Sequence, residues 1–176
     1  MKYYFYPIII SLLFFFISSV YSQDFEEIQK LTSSDGGGND YYGYSVSMTD
    51  TMAIVGAWSN DNPVSGVGSA YIHYKNYGGE RNWGQIVKLS PSDPQSSDAF
   101  GYSVAISGDI AVVGARREDG GGSSSGAVYI FYRNQGGTNN WGQVKKILAI
   151  DAASNNYFGN SVSISGTILI VGAPYN

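Results

Sequence analysis

The chain contains no cysteine and a single histidine, His73. Without cysteine there is no disulfide framework, no thiolate metal site and no thiol nucleophile, so stability has to come from packed sheets. His73 falls in register with Phe131, so its position is built for a ring rather than for a catalytic base. No Gly-X-Ser-X-Gly elbow, His-Glu-X-X-His pair or P-loop occurs, and Gly36–Gly38 and Gly120–Gly122 precede no helix. We therefore expect no catalytic residues, no metal site and no cofactor. Basic residues are scarce: 10 Lys and Arg stand against 14 Asp and Glu, a formal net charge of −4. That balance argues against nucleic acid and against docking to anionic lipid, both of which need a basic face. Asn-X-Ser/Thr sequons are also missing. Helical periodicity is absent after residue 22, apart from a short turn around Glu26-Glu27.

One long apolar run is present. It extends from Ile8 to Val20, follows Lys2, and leads into Val20-Tyr21-Ser22. This pattern predicts a secretory signal peptide over 1–22, with a mature chain of 23–176 and an extracellular location. An uncleaved membrane anchor is the competing reading. The run is short for a span of roughly 20 residues, and Pro7 interrupts its start. No further membrane span is expected.

What the chain has in abundance is repetition. Val-Gly-Ala occurs at 55–57, 113–115 and 171–173, two steps of 58 without insertion or deletion. Gly43, Gly101 and Gly159 keep the same step, each followed by Ser-Val. Tyr71 aligns with Tyr129, Trp83-Gly84-Gln85 with Trp141-Gly142-Gln143, and Asp35 with Asp93 and Asp151. A fixed period of this length means one supersecondary unit used repeatedly.

Each unit carries four strand signals. Tyr102 to Ser107 alternates apolar and small residues, a half-buried strand. Gly108-Asp109 turns the chain into Ile110 to Val113. Ala127 to Tyr132 is apolar on both faces and reads as covered on both sides. Trp141 to Ile150 carries Lys145 and Lys146 and reads as an outer strand. Four antiparallel strands per repeat, with Gly and aromatics in fixed places, predict an all-β fold: a β-propeller of four-stranded blades. The expected repeats are 41–98, 99–156 and 157–176, with 24–40 the outer strand of an unfinished blade running from Phe25 to Leu31. The chain thus reads as an incomplete propeller of about two and a half blades, which, for a complete chain of this length, predicts self-association through unpaired blade edges.

Three sets of residues are candidate sites. The first is the loop between second and third strands, with Trp58, Asn60 and Asp61 in one unit and Arg116, Glu118 and Asp119 in the next. Trp and Arg are types that carry interface energy, which makes a ligand-binding surface one reading. A solvated loop whose Asp and Gly serve turn geometry is the other. The second set pairs Asp35 with Asp40, Asp93 with Asp98, and Asp151 with Asn156. These either share a cation with backbone carbonyls or cap tight turns. The third is Trp83 and Trp141, which either stack on sugar or pack between blades.

Phe100-Gly101 followed by Gly114-Ala115, and Phe158-Gly159 followed by Gly172-Ala173-Pro174, resemble the FG-GAP repeat family. That family includes the propeller head of integrin α-subunits and many secreted microbial proteins. Tyr42-Gly43 departs from the Phe-Gly element, and Trp58 and Arg116 stand where Pro174 keeps the proline. Calcium-binding members carry an Asp-rich cage between the two elements. Here Thr49-Asp50-Thr51, Ser107-Gly108-Asp109 and Ser165-Gly166-Thr167 supply at most one carboxylate each, against the roughly six to eight oxygens calcium takes. The resemblance implies a non-enzymatic binding or adhesion scaffold that engages a protein or glycan. The alternatives are a lectin-like propeller using Trp58, Trp83 or Trp141, and the non-catalytic propeller portion of a larger secreted enzyme.

Overall fold

The computed structural model describes residues 26–61 and 63–176. The signal-peptide reading falls on residues outside these. Ten strands and no helix occur among the described residues. The first sheet holds β1 (Tyr42–Met48), β2 (Met52–Ala57), β3 (Ser69–Lys75) and β4 (Trp83–Leu89), hydrogen-bonded in chain order. The second repeats this order with β5 (Phe100–Ser107), β6 (Ile110–Ala115), β7 (Ala127–Tyr132) and β8 (Gly142–Ile147). The third contains β9 (Ser161–Ser165) and β10 (Ile168–Gly172). Every strand pair is antiparallel. These are the blades of an incomplete propeller.

Two expectations about strands need correction. The outer strand of the second blade spans Gly142–Ile147 rather than Trp141 to Ile150. Residues 26–31 form no strand. Instead the Gln29 side chain holds both backbone groups of Trp83, donating to its carbonyl at 3.0 Å and accepting from its N–H at 2.7 Å.

Alternation decides which residues face which neighbour. On β2 and β3, Met52, Ile54, Ala70 and Ile72 point at the second blade. Val104 and Ile106 of β5 and Ala111 and Val113 of β6 meet them there in one buried cluster. The opposite face of the second blade presents Ile110, Val112 and Val128 to Val162, Ile164, Leu169 and Val171 of the third. β7 is therefore covered on both sides: Tyr129 and Phe131 lie in the first cluster and Val128 in the second.

Blades touch most closely where the repeated Phe-Gly and Gly-Ala elements meet. Phe100 donates its N–H to the Val67 carbonyl at 2.7 Å, and Phe158 to the Ser125 carbonyl at 2.8 Å. Ser45 and Ser103 hydroxyls donate to the carbonyls of Gly101 and Gly159, at 2.8 and 2.7 Å. A Cβ on Gly56 would collide with the Gly101 carbonyl, and one on Gly114 with that of Gly159. Gly101 itself sits at φ 85°, where an L side chain is strained. The motif glycines are thus the backbone contact between neighbouring blades.

Candidate functional site

The loop between second and third strands starts at Trp58 in the first blade and Arg116 in the second. Both leave their strand at the edge where neighbouring blades meet. Trp58 stacks on Tyr41 at 4.9 Å and 15°, and lies edge-on to Tyr44 at 6.1 Å and Tyr102 at 6.4 Å. Tyr44 and Tyr102 are register equivalents on β1 and β5. Their rings are 4.9 Å apart, and the Tyr44 hydroxyl donates to that of Tyr102 at 2.8 Å. That hydrogen bond is the main force raising the Tyr44 phenol above its ordinary value. The Arg116 guanidinium lies 3.8 Å over the Tyr102 ring and 5.6 Å from that of Tyr157. Tyr157 in turn packs edge-on with Tyr175 at 5.6 Å. The result is a continuous aromatic and cationic strip across all three blades, with Tyr41, Tyr44 and Tyr175 exposed.

Tyr41 and Tyr157 reach the strip through backbone in the left-handed region, at φ 55° and 53°. Non-glycine residues adopt that conformation at a cost. Among the described residues, Trp58 Nε1 and Arg116 Nε are buried donors without a hydrogen-bond partner. A buried donor left unpaired costs about 1–3 kcal/mol, so the strip holds its rings at some expense.

The other candidates in this loop lie elsewhere. Asn60 and Glu118 are only 2% and 1% exposed, beneath the loop rather than on it. Glu118 accepts from Lys146 Nζ at 2.7 Å and from the Gly120 N–H at 2.9 Å. Lys146 also reaches Asp93 at 2.6 Å, and the Tyr129 hydroxyl donates to Asp93 at 2.9 Å. Asn60 occupies the same place in the first blade. Its Oδ1 accepts from Lys88 Nζ at 2.9 Å and Ser69 Oγ at 3.0 Å, and its Nδ2 donates to Asp40 at 2.9 Å. Lys88 bonds Asp35 at 2.6 Å, and Tyr71 donates to Asp35 at 2.8 Å. Asp61 and Asp119 close the loop locally, accepting the N–H groups of Gly66 and Ser124 at 2.7 Å each.

The paired acids between blades split into two jobs. Asp40 and Asp98 take the N–H groups of Gly37 and Gln95, which is turn capping. Asp35 and Asp93 join the next blade's Lys and Tyr instead. In the third blade Asn176 joins the two positions, accepting from Asn156 at 2.8 Å and donating to Asp151 at 3.0 Å. Burial pushes Asp35 up, but bonds from Lys88 and Tyr71 outweigh it and hold the carboxyl below its ordinary range. Burial lowers Lys146, yet the Asp93 and Glu118 hydrogen bonds prevail and raise it. Asp98 is pushed up to about 6, by burial first and by the Glu118 charge in addition. No cluster of three or more metal-ligating side chains occurs among the described residues.

Trp141 is fully buried between the first two blades, donating to the Tyr74 hydroxyl at 3.1 Å. Trp83, its equivalent, is half-buried. His73 is buried, with Nε2 2.8 Å from the Tyr42 hydroxyl and Nδ1 unpartnered among the described residues. The sequence reading missed the strip tyrosines 41, 44, 102 and 157. Their signal was present in Tyr44 and Tyr102 at the 58-residue step and in Tyr41 and Tyr157 at two steps.

A profile of the family described as FG-GAP repeat matches residues 25–73, 83–131 and 141–176. No curated protein matches the chain. No helix among the described residues is long and apolar enough to cross a membrane.

Proposed function

The chain belongs to the FG-GAP repeat family, and from that premise we propose that it is a secreted, non-enzymatic binding module. Such repeats are typical of integrin-alpha-like propellers that mediate binding, and occur in extracellular and cell-surface proteins. The observation that carries the reading is the strip from Tyr41 and Trp58 through Tyr102 to Arg116. Tyr, Trp and Arg dominate binding energy at interfaces. These are interlocked by stacking before any ligand arrives, so little side-chain entropy is lost on binding. A protein or glycan ligand docks across the blades, with Trp58 and Arg116 as anchors. Asn60 and Glu118 hold the loop from below, and Asp61 and Asp119 set its shape.

The glycan form of this reading draws on the exposed ring of Tyr41 lying parallel to Trp58, since flat apolar faces suit sugar rings. It does not draw on Trp141, whose ring is spent on blade packing. Glycan arrays and extracellular protein panels probed with the chain test the proposal. Binding that falls at least tenfold in both Trp58→Ala and Arg116→Ala, with the melting transition retained, is the expected result. A ligand whose affinity ignores both substitutions refutes it.

A further inference from the structure

Among the described residues, the cations that are partly buried are Lys88, Arg116, Arg133 and Lys146. Three of them have a carboxylate partner: Lys88 with Asp35 at 2.6 Å, Arg133 with Asp109 at 3.4 Å, and Lys146 with Asp93 at 2.6 Å. Arg116 pairs with no carboxylate among the described residues. Its Nη1 donates to Asn160 Oδ1 at 3.5 Å, and its Nε is buried without an acceptor there. Drawing a guanidinium partly out of water is unfavourable unless an opposite charge compensates it. Two ring faces compensate only in part, Tyr102 of β5 at 3.8 Å and Tyr157, just before β9, at 5.6 Å. These rings fix the guanidinium between two blades and leave most of its donors unspent.

The acids around Arg116 are already engaged. Glu118 is buried and bonded to Lys146, Asp119 accepts from the Ser124 N–H, and buried Asp98 accepts from the Gln95 N–H. Arg117 is exposed alongside. In a chain of formal net charge −4, this stretch therefore presents positive charge. Flat rings continue from it. Tyr44 lies 4.9 Å from Tyr102, and Tyr41 lies parallel to Trp58; both Tyr41 and Tyr44 are exposed.

We propose that the strip binds an acidic glycan, with a uronate carboxylate on Arg116 and the sugar rings along Tyr102, Tyr44 and Tyr41. This rests on the strip being the binding surface and adds the charge and chemical class of its ligand. The planar guanidinium fork matches a carboxylate through paired hydrogen bonds and receives the counter-charge it lacks. The exposed rings beside it suit the apolar faces of pyranoses. An acidic peptide backbone would satisfy Arg116 and leave those rings without a matching face.

Binding of the full chain to polygalacturonate, alginate and hyaluronan is measured with their carboxyls free and methyl-esterified, beside polyglutamate. The expected result is that at least one free acid binds and weakens at least tenfold on esterification. Arg116→Gln, with its melting transition retained, should abolish that preference for the acid over the ester. Arg116→Lys keeps the charge but loses the fork, and should retain only part of the preference. A merely structural role for Arg116 would weaken both forms and leave the preference intact. No binding to any free acid, equal binding of acid and ester, a preference that survives Arg116→Gln, or polyglutamate bound as tightly as the best glycan overturns the proposal. Acid and ester bound equally, and both lost in Trp58→Ala, would remove this inference while the strip remained the binding surface. A ligand indifferent to Trp58 and Arg116 alike removes both.

Discussion

The first and second blades share one framework and differ in the chemistry buried between them. At positions 40 and 60 the first blade places Asp against Asn; at 98 and 118 the second places Asp near Glu; at 156 and 176 the third places Asn against Asn. Only the second therefore buries two carboxylates, Asp98 and Glu118, of which Glu118 is paired with Lys146. A parallel difference lies on the inner ring pair. Phe100 and Phe131 meet edge-on at 6.0 Å in the second blade, where the first has Tyr42 and His73 at 6.3 Å joined by a hydrogen bond. One backbone plan thus tolerates an apolar or a polar filling at the same point, here with His73 Nε2 paired to the Tyr42 hydroxyl and Nδ1 left without a partner among the described residues. Each blade consequently responds to protons in its own way.

Replacing the lysines should separate the blades most. Lys146→Met strands Glu118, whose side chain is 1% exposed, and should lower stability by about 3 kcal/mol, as breaking a buried pair does. Lys88→Met leaves a neutral amide still bonded to Ser69 and a part-exposed Asp35, and should lose only about 1 kcal/mol. Chemical denaturation of the two variants measures the gap; equal losses would mean that the difference between the blades has no energetic weight.

Asp98 gives the next largest effect. Its folded-state pKa of about 6 lies above the ordinary carboxylate value, so the folded chain binds the proton more tightly than the unfolded one. The contribution is present below pH ~4 and is lost as pH rises through about 6. Asp98→Asn should accordingly be more stable than the parent by about 2 kcal/mol at neutral pH, with the advantage vanishing near pH 4. Melting curves against pH follow this, and an advantage that grows on acidification would contradict the burial argument.

Asp61→Ala and Asp119→Ala should each lose about 1 kcal/mol, the Asp61 loss being the larger because Asp61 also accepts from the Ser65 hydroxyl at 3.3 Å. Equal losses would show that the Ser65 bond carries no weight.

The smallest change is expected from importing the second blade's ring pair into the first. Tyr42→Phe with His73→Phe removes both partners of one hydrogen bond together, and should stay within about 0.5 kcal/mol of the parent at neutral pH. Burial holds His73 below its ordinary pKa and raises the Tyr42 phenol to about 12. With His73 depressed, its contribution is present above pH ~6.5 and is lost as pH falls. The parent should therefore lose more stability on acidification than the double variant, opposite in sign to Asp98. Identical acid limbs in the two melting series would exclude His73 as the cause.

Much of the fold could be read directly. Ala127 to Tyr132 coincides with β7, and its two apolar faces do meet two different blades. The inner strand was seen from Tyr102 and begins at Phe100; the next was seen to Val113 and runs to Ala115. Those end residues join the ladder through pairing of Phe100 with Ala115 across a bulge, which alternation does not reveal. The candidate loop was legible as a location but not as a surface. Asn60 and Glu118 sit in Gly- and Ser-rich stretches that read as solvated, yet each meets a lysine 28 residues further on. The aspartate that completes each group lies 53 residues from that lysine. No local pattern encodes such a meeting, although the shared 58-residue step of Asp35, Tyr71 and Lys88 with Asp93, Tyr129 and Lys146 was on view.

By itself the sequence determined the unit, its length, its strand alternation and the glycines that let neighbouring units touch. These follow from short-range sterics and from a two-residue periodicity that any window of the chain displays. Only the tertiary structure decided which polar residues lose their water, which tyrosines line up with Trp58 and Arg116, and which apolar faces stay bare. Each of those outcomes depends on groups brought together from different blades, and burial is a property of the neighbours rather than of the residue.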